Sequence, residues 1–204
     1  MKYRSIIRRA GYLLIFLGLV LIIGSFFLNI KQQIMRKLAI DEFKQAVEKE
    51  YTFDEQTGEI NADYTEVSGG SDAVEGDILY LLRIPSIDSE NPVREGVSMG
   101  VLEDSLGHEP DTAYIGSEGN CVIAGHRNYT FGQFFNRLDE VKVNDIIYVD
   151  TAKQTFSYVV KEIKVVKPND LSVLDQTDEE ILTLYTCTPI YIASHRLVII
   201  AERI

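Results

Sequence analysis

A thiol, an imidazole and a guanidinium each stand at the end of an apolar, strand-prone run. Cys187 closes Thr183-Leu184-Tyr185-Thr186-Cys187, just before Thr188-Pro189. Arg196 opens the run Leu197-Val198-Ile199-Ile200-Ala201, nine residues later. His126 follows Cys121-Val122-Ile123-Ala124-Gly125. Side chains at strand ends reach the surface, and these three types together suit acyl transfer through a thioester. The thiol is the nucleophile, the imidazole moves protons, and the guanidinium steadies a developing oxyanion. A cation beside a thiol also favours the thiolate.

Each residue has a plainer reading when taken alone. Cys187 could be a buried structural cysteine, His126 a surface histidine, and Arg196 half of a surface ion pair. The two other histidines, His108 and His195, are rival imidazoles. On a strand, His195 points to the face opposite Arg196, so the two do not share a site. An even cysteine count in an exported chain raises a disulfide between Cys121 and Cys187. If Cys187 meets His126, however, Cys121 lies five residues away along an extended strand, roughly 16 Å, too far to bridge. Cys121 then reads as a small buried hydrophobe. Two cysteines and three scattered histidines lack the paired spacing of a metal site, and no cofactor motif is present.

The elements that hold these residues fall within 204 residues, enough for one globular domain and an appendage. Residues 1–37 carry seven basic side chains and no acid; the remainder has 13 Lys and Arg against 31 Asp and Glu, a net of −18. So acidic a domain repels nucleic acid, and no basic stripe offers it a footing. From Ala10 to Ile30 there is no charged residue in 21 positions. At about 1.5 Å per residue this run spans the hydrocarbon core of a bilayer, roughly 30 Å. It is longer than the apolar region of a signal peptide and lacks an Ala-x-Ala-like cleavage site, so an uncleaved anchor is expected. The basic tail, 1–9, is expected in the cytoplasm and everything after Ile30 outside.

Residues 31–76 are expected to form a juxtamembrane helix, over 31–50, and then a linker rich in Asp, Glu, Gly, Ser and Thr. From 77 to 204 the texture is that of a β domain. Strands are expected at Ile78–Ile84, around Val93, at 120–125, 146–149, 156–166, 181–186 and 197–201, with a helix over Phe131–Leu138. Cys187 and Arg196 would stand on the two limbs of a hairpin whose loop is 188–195. Many short strands with one or two helical insertions point to a closed or nearly closed barrel.

The motifs, in order, resemble those of the sortases, membrane-anchored cysteine transpeptidases of Gram-positive bacteria. The resemblance rests on Ile84-Pro85-Ser86-Ile87 with Pro92-Val93 and Glu95-Gly96, on Leu106-Gly107-His108, and on Gly119-Asn120-Cys121-Val122-Ile123-Ala124-Gly125-His126-Arg127. It continues through Phe134 to Val141, Thr183-Leu184-Tyr185-Thr186-Cys187-Thr188-Pro189 and His195-Arg196-Leu197-Val198, covering about residues 78–204. It implies an eight-stranded β-barrel, with His126, Cys187 and Arg196 as catalytic residues and Thr186 positioning substrate. It further implies a peptide groove walled by 167–177. Its partners would be secreted surface proteins with a C-terminal Leu-Pro-x-Thr-Gly-like sorting signal, and an amine of a peptidoglycan precursor or cell-wall peptide as acceptor. Thr-Cys-Thr-Pro and His-Arg-Leu resemble class C, yet residues 31–76 hold no proline from which to build that class's Asp-Pro-aromatic lid, and no second apolar stretch long enough to span a membrane is expected before Ile204. The chain is therefore read as closer to class D. The family's Thr-x-Leu-Pro-Gly segment stands here as Thr112-Ala113-Tyr114-Ile115-Gly116. Two other classes remain open. One is a different cell-envelope cysteine acyl-transferase, such as an L,D-transpeptidase-like enzyme, although Ser194-His195-Arg196 lacks that group's cysteine. The other is a non-catalytic binding module on a sortase-like barrel.

Overall fold

The computed structural model describes residues 2–50, 72–127 and 134–204. A long helix, α1 (Lys2–Glu50), precedes eight strands: β1 (Ile78–Ile84), β2 (Ser89–Glu95), β3 (Leu106–His108), β4 (Gly119–Ala124), β5 (Ile146–Asp150), β6 (Thr155–Val166), β7 (Glu180–Thr188) and β8 (His195–Arg203). They close into a barrel in the order β1-β2-β3-β4-β7-β8-β6-β5. Two seams are parallel, β2 with β3 and β4 with β7; the others are antiparallel. Closure removes the open sheet edge that would invite aggregation.

Period-two alternation sets the walls. Cys121 and Ile123 of β4, Leu182 and Leu184 of β7, and Leu197, Ile199 and Ala201 of β8 all enter one buried core with Leu79, Leu82, Phe135 and Val160. β1 is buried almost throughout because it is covered on both sides. Its inner residues face the barrel, while Ile78 and Leu81 pack against Phe43 of α1. Lys44–Glu90 at 3.6 Å and Arg94–Glu42 at 2.9 Å flank that contact. Burial of an aromatic ring of this size is worth about 1.5–3 kcal/mol, so the apolar seam, more than these exposed ion pairs, docks the helix.

The strands expected from the sequence are present, several longer than their apolar runs. β7 and β8 extend to Thr188 and His195, so Cys187 and Arg196 lie within strands. Three features differ. A six-residue helix, α2 (Met99–Asp104), and the three-residue β3 were not expected; both are too short to show a period. Of the helix expected over Phe131–Leu138, residues 131–133 fall outside the described residues. From Phe134 the chain makes a turn and a 3-10 helix at Leu138–Glu140, because Phe134 takes a left-handed backbone (φ 49°) that ends any α-helix. Phe134, Phe135 and Leu138 are buried regardless. Finally, the expected anchor and juxtamembrane helix form a single unbroken element. Among the described residues no helix is long and apolar enough to cross a membrane.

Candidate active site

The barrel wall brings the three expected residues into one row. Across the parallel seam, Ala124 pairs with Tyr185, and Gly125 N–H donates to Tyr185 O at 3.1 Å. Thr186 Oγ1 donates to Gly125 O at 2.7 Å, and one step beyond, Arg127 Nη1 donates to Thr188 Oγ1 at 2.9 Å. His126 and Cys187 lie between these two contacts and are therefore lateral neighbours, on strands about 4.8 Å apart. On the other side, Cys187 pairs directly with Arg196. Because Leu184 and Leu197 face the core, Cys187 and Arg196 point to the outer face, the same face as Tyr185. Cys187, His126 and Arg196 are all half-buried. The guanidinium of Arg196 is steadied by its own turn, donating to His195 O at 3.2 Å.

The other expected residues sort differently. Thr186 is buried and its hydroxyl is committed to Gly125 O, so any influence on substrate passes through the seam it holds. Gly125 is required by packing: its missing Cβ leaves room for Phe135 and Leu106, which a methyl group would meet at 2.5 and 2.6 Å. His108 is fully buried on β3, with Nδ1 2.8 Å from Glu95 Oε2 and Nε2 3.0 Å from Ala113 O, and it stacks on Tyr114. It is a brace between β2, β3 and the 109–118 loop. His195 is exposed, and its Nδ1 lies 2.9 Å from Ser194 Oγ. Both cysteines are free thiols. Cys121 faces the core, and burial pushes its thiol far above the ordinary range, with Glu180 and Glu95 adding to the effect. Among the described residues no group of His, Cys, Asp and Glu gathers to hold a metal ion.

Three groups at the site were not foreseen. Arg127 ties the His126 segment to Thr188 and, at 2.8 Å, to Asp139. Asn120 Nδ2 donates to Val173 O and Asp175 O, at 3.0 and 3.1 Å, fastening the 167–179 segment to the start of β4. Tyr185 donates its hydroxyl to Glu109 Oε1 at 2.6 Å, across β4. Burial raises the pKa of this phenol well beyond the usual value, reinforced by the Glu109 carboxylate.

Comparison with known proteins identifies the family. The model of the sortase domain matches residues 82–204. Sortase D of Bacillus subtilis is 32% identical over 128 residues, covering 61% of this chain and 63% of that protein. Sortase A of Listeria monocytogenes is 24% identical over 196 residues, covering 93% of this chain and 88% of that protein. Among solved structures, a sortase D5 transpeptidase of Clostridium perfringens superimposes with a TM-score of 0.67 at 31% identity, over 83% of this chain and 98% of that one.

Proposed function

The chain belongs to the sortase family, and on that premise we propose that it is a membrane-anchored, class D-like cysteine transpeptidase acting on exported proteins. The observation that carries this reading is the row His126–Cys187–Arg196 on the outer face of β4, β7 and β8. Cys187, as thiolate, attacks the Thr–Gly carbonyl of a Leu-Pro-x-Thr-Gly-like signal. Arg196, directly across the strand pair, donates to the oxyanion that forms. His126, on the opposite flank, protonates the departing glycine amine, and a thioester to Cys187 remains. An amine of a cell-wall peptide or peptidoglycan precursor then gives up a proton to His126 and attacks the thioester. An amide bond forms and the thiolate is released. A single imidazole serves as acid and then as base.

Residues 10–30 would anchor the protein, N-terminus in the cytoplasm and barrel outside. Support comes from 21 uncharged positions in sequence and from a helix that leaves Leu13, Leu14, Phe16, Leu21 and Ile22, spread around its circumference, largely exposed. Donor and acceptor tethered to the same surface gain effective concentration without any new contact.

The test is incubation of the protein with Leu-Pro-x-Thr-Gly-type peptides and candidate amines, read by mass spectrometry. A thioester on Cys187 that is absent in C187A, followed by an aminolysed product, is the expected result. Peptide turnover that survives C187A would refute the mechanism. Membrane fractionation with protease shaving checks the anchor; a barrel that washes off in salt or stays protected in sealed cells would refute it.

A further inference from the structure

On the outer face, two residues before Cys187, the structure holds a bar made of two side chains. Tyr185 leans across β4 and donates to Glu109 Oε1 at 2.6 Å. It can do so because its register partner is Ala124, whose methyl group lies buried in the wall between the two. The acidic end is fixed from behind. Glu109 N–H donates to Val122 O at 2.8 Å, and Glu109 O accepts from both Thr112 N–H, at 3.3 Å, and Thr112 Oγ1, at 2.7 Å. Glu109 Oε2 has no partner among the described residues. Val122 and Thr183, the next outward residues of β4 and β7, are buried. Tyr185 and Glu109 remain half-exposed, so a peptide leaving Cys187 along this face meets the bar first.

Distance selects the residue that is read. Two strand positions separate Tyr185 from Cys187, about 7 Å at roughly 3.4 Å per residue, and the Glu109 carboxylate stands across β4 from there. In an extended donor the residue before the acyl residue has its Cα about 3.8 Å further along the chain. Its side chain is therefore the one that spans the remaining gap.

We infer that Glu109, held by Tyr185, is a specificity-determining residue that favours a cationic side chain at the position immediately before the residue whose carbonyl Cys187 attacks. This rests on the donor and thiol chemistry proposed above. The carboxylate attracts Lys or Arg at that position and repels Glu or Asp. Since the bar is only half-buried, salt weakens both effects.

The test uses the full-length protein in detergent micelles and three donors, Leu-Pro-Lys-Thr-Gly, Leu-Pro-Ala-Thr-Gly and Leu-Pro-Glu-Thr-Gly, each flanked by neutral residues. Thioester formation on Cys187 is followed in single turnover, at low and at high salt. At low salt the Lys donor is expected to exceed the Glu donor about tenfold in rate per donor concentration, with Ala between. The ratio falls at high salt and approaches one in E109Q, whatever the absolute rates of that variant. In Y185F the carboxylate stays but its brace is lost, so the ratio falls part of the way. Equal rates for all three donors in the wild type, or a ratio untouched by E109Q, overturn the inference and leave the transpeptidase reading standing. Absence of any thioester from all three donors overturns both.

Discussion

At the scale of single residues, the site depends on two geometries that substitution can separate from bulk. Arg196 faces Cys187 across an antiparallel pair, and its fork can offer two N–H groups to one oxygen. A lysine in its place keeps the charge but not the fork. R196K should therefore lose about 10²–10³ in kcat while its unfolding midpoint stays put; full activity in this variant, measured by initial rates, removes Arg196 from the oxyanion role. Thr186 tests the seam. Its hydroxyl is the partner that Gly125 O has at the edge of the His126 segment. T186V keeps the shape and leaves that buried carbonyl unsatisfied, a cost of about 1–3 kcal/mol. Urea unfolding should register this loss, and kcat should fall with little change in KM, because the damage lies behind the catalytic row and away from the peptide.

At the scale of elements, the sequence was most readable where periodicity was longest. β4, β7 and β8 declare themselves by apolar runs, and the imidazole, thiol and guanidinium stood at their ends in plain view. What could not be read was pairing. Nothing local to Glu109 or Tyr185 announces their bond, since they lie 76 residues apart. β3 has three residues and α2 six, fewer than a period needs. Their one trace is Gly107, whose absent side chain would strike Gly96 O at 2.3 Å. Phe134 misled for a physical reason: its spacing with Phe131, Phe135 and Leu138 is helical, and burial of Phe134, Phe135 and Leu138 is achieved through a left-handed turn instead. Pairing also makes a stability prediction. Arg83 on β1 grips Asp150 on β5 through two hydrogen bonds, at 2.7 and 2.8 Å. Partial burial works against the Asp150 charge. Hydrogen bonds from Arg83 and Thr155, with the Arg83 charge, outweigh it and hold the carboxyl below its ordinary range. A depressed carboxylate contributes stability above its unfolded-state pKa and loses it as the pH falls through the folded-state value. D150N should thus be less stable than wild type by about 1 kcal/mol at pH 7, a modest figure because the pair is partly exposed. The two urea curves should converge in acid; a gap that persists there would mean that packing rather than charge holds this seam.

At the scale of the whole molecule, the acidic barrel and the basic, apolar helix are one continuous physical object. α1 covers Ile78 and Leu81 with Phe43, so the stretch read as a juxtamembrane helix also completes the outer coat of β1. The barrel closes only by joining distant segments. Gly125 and Thr186 meet across 61 residues of chain, and Arg83 meets Asp150 across 67. Long-range closures of this kind are slow and come late in folding. In refolding from urea, thioester-forming activity should return with the slowest phase of the far-UV circular dichroism signal, and a competent thiol that precedes sheet completion would contradict this. The parallel meeting of β4 and β7 then has a temporal meaning. The imidazole arrives just after an early strand and the sulfur on the penultimate one, so a half-made chain carries the proposed proton carrier with no nucleophile at its side. Connectivity alone keeps the unfinished molecule chemically silent.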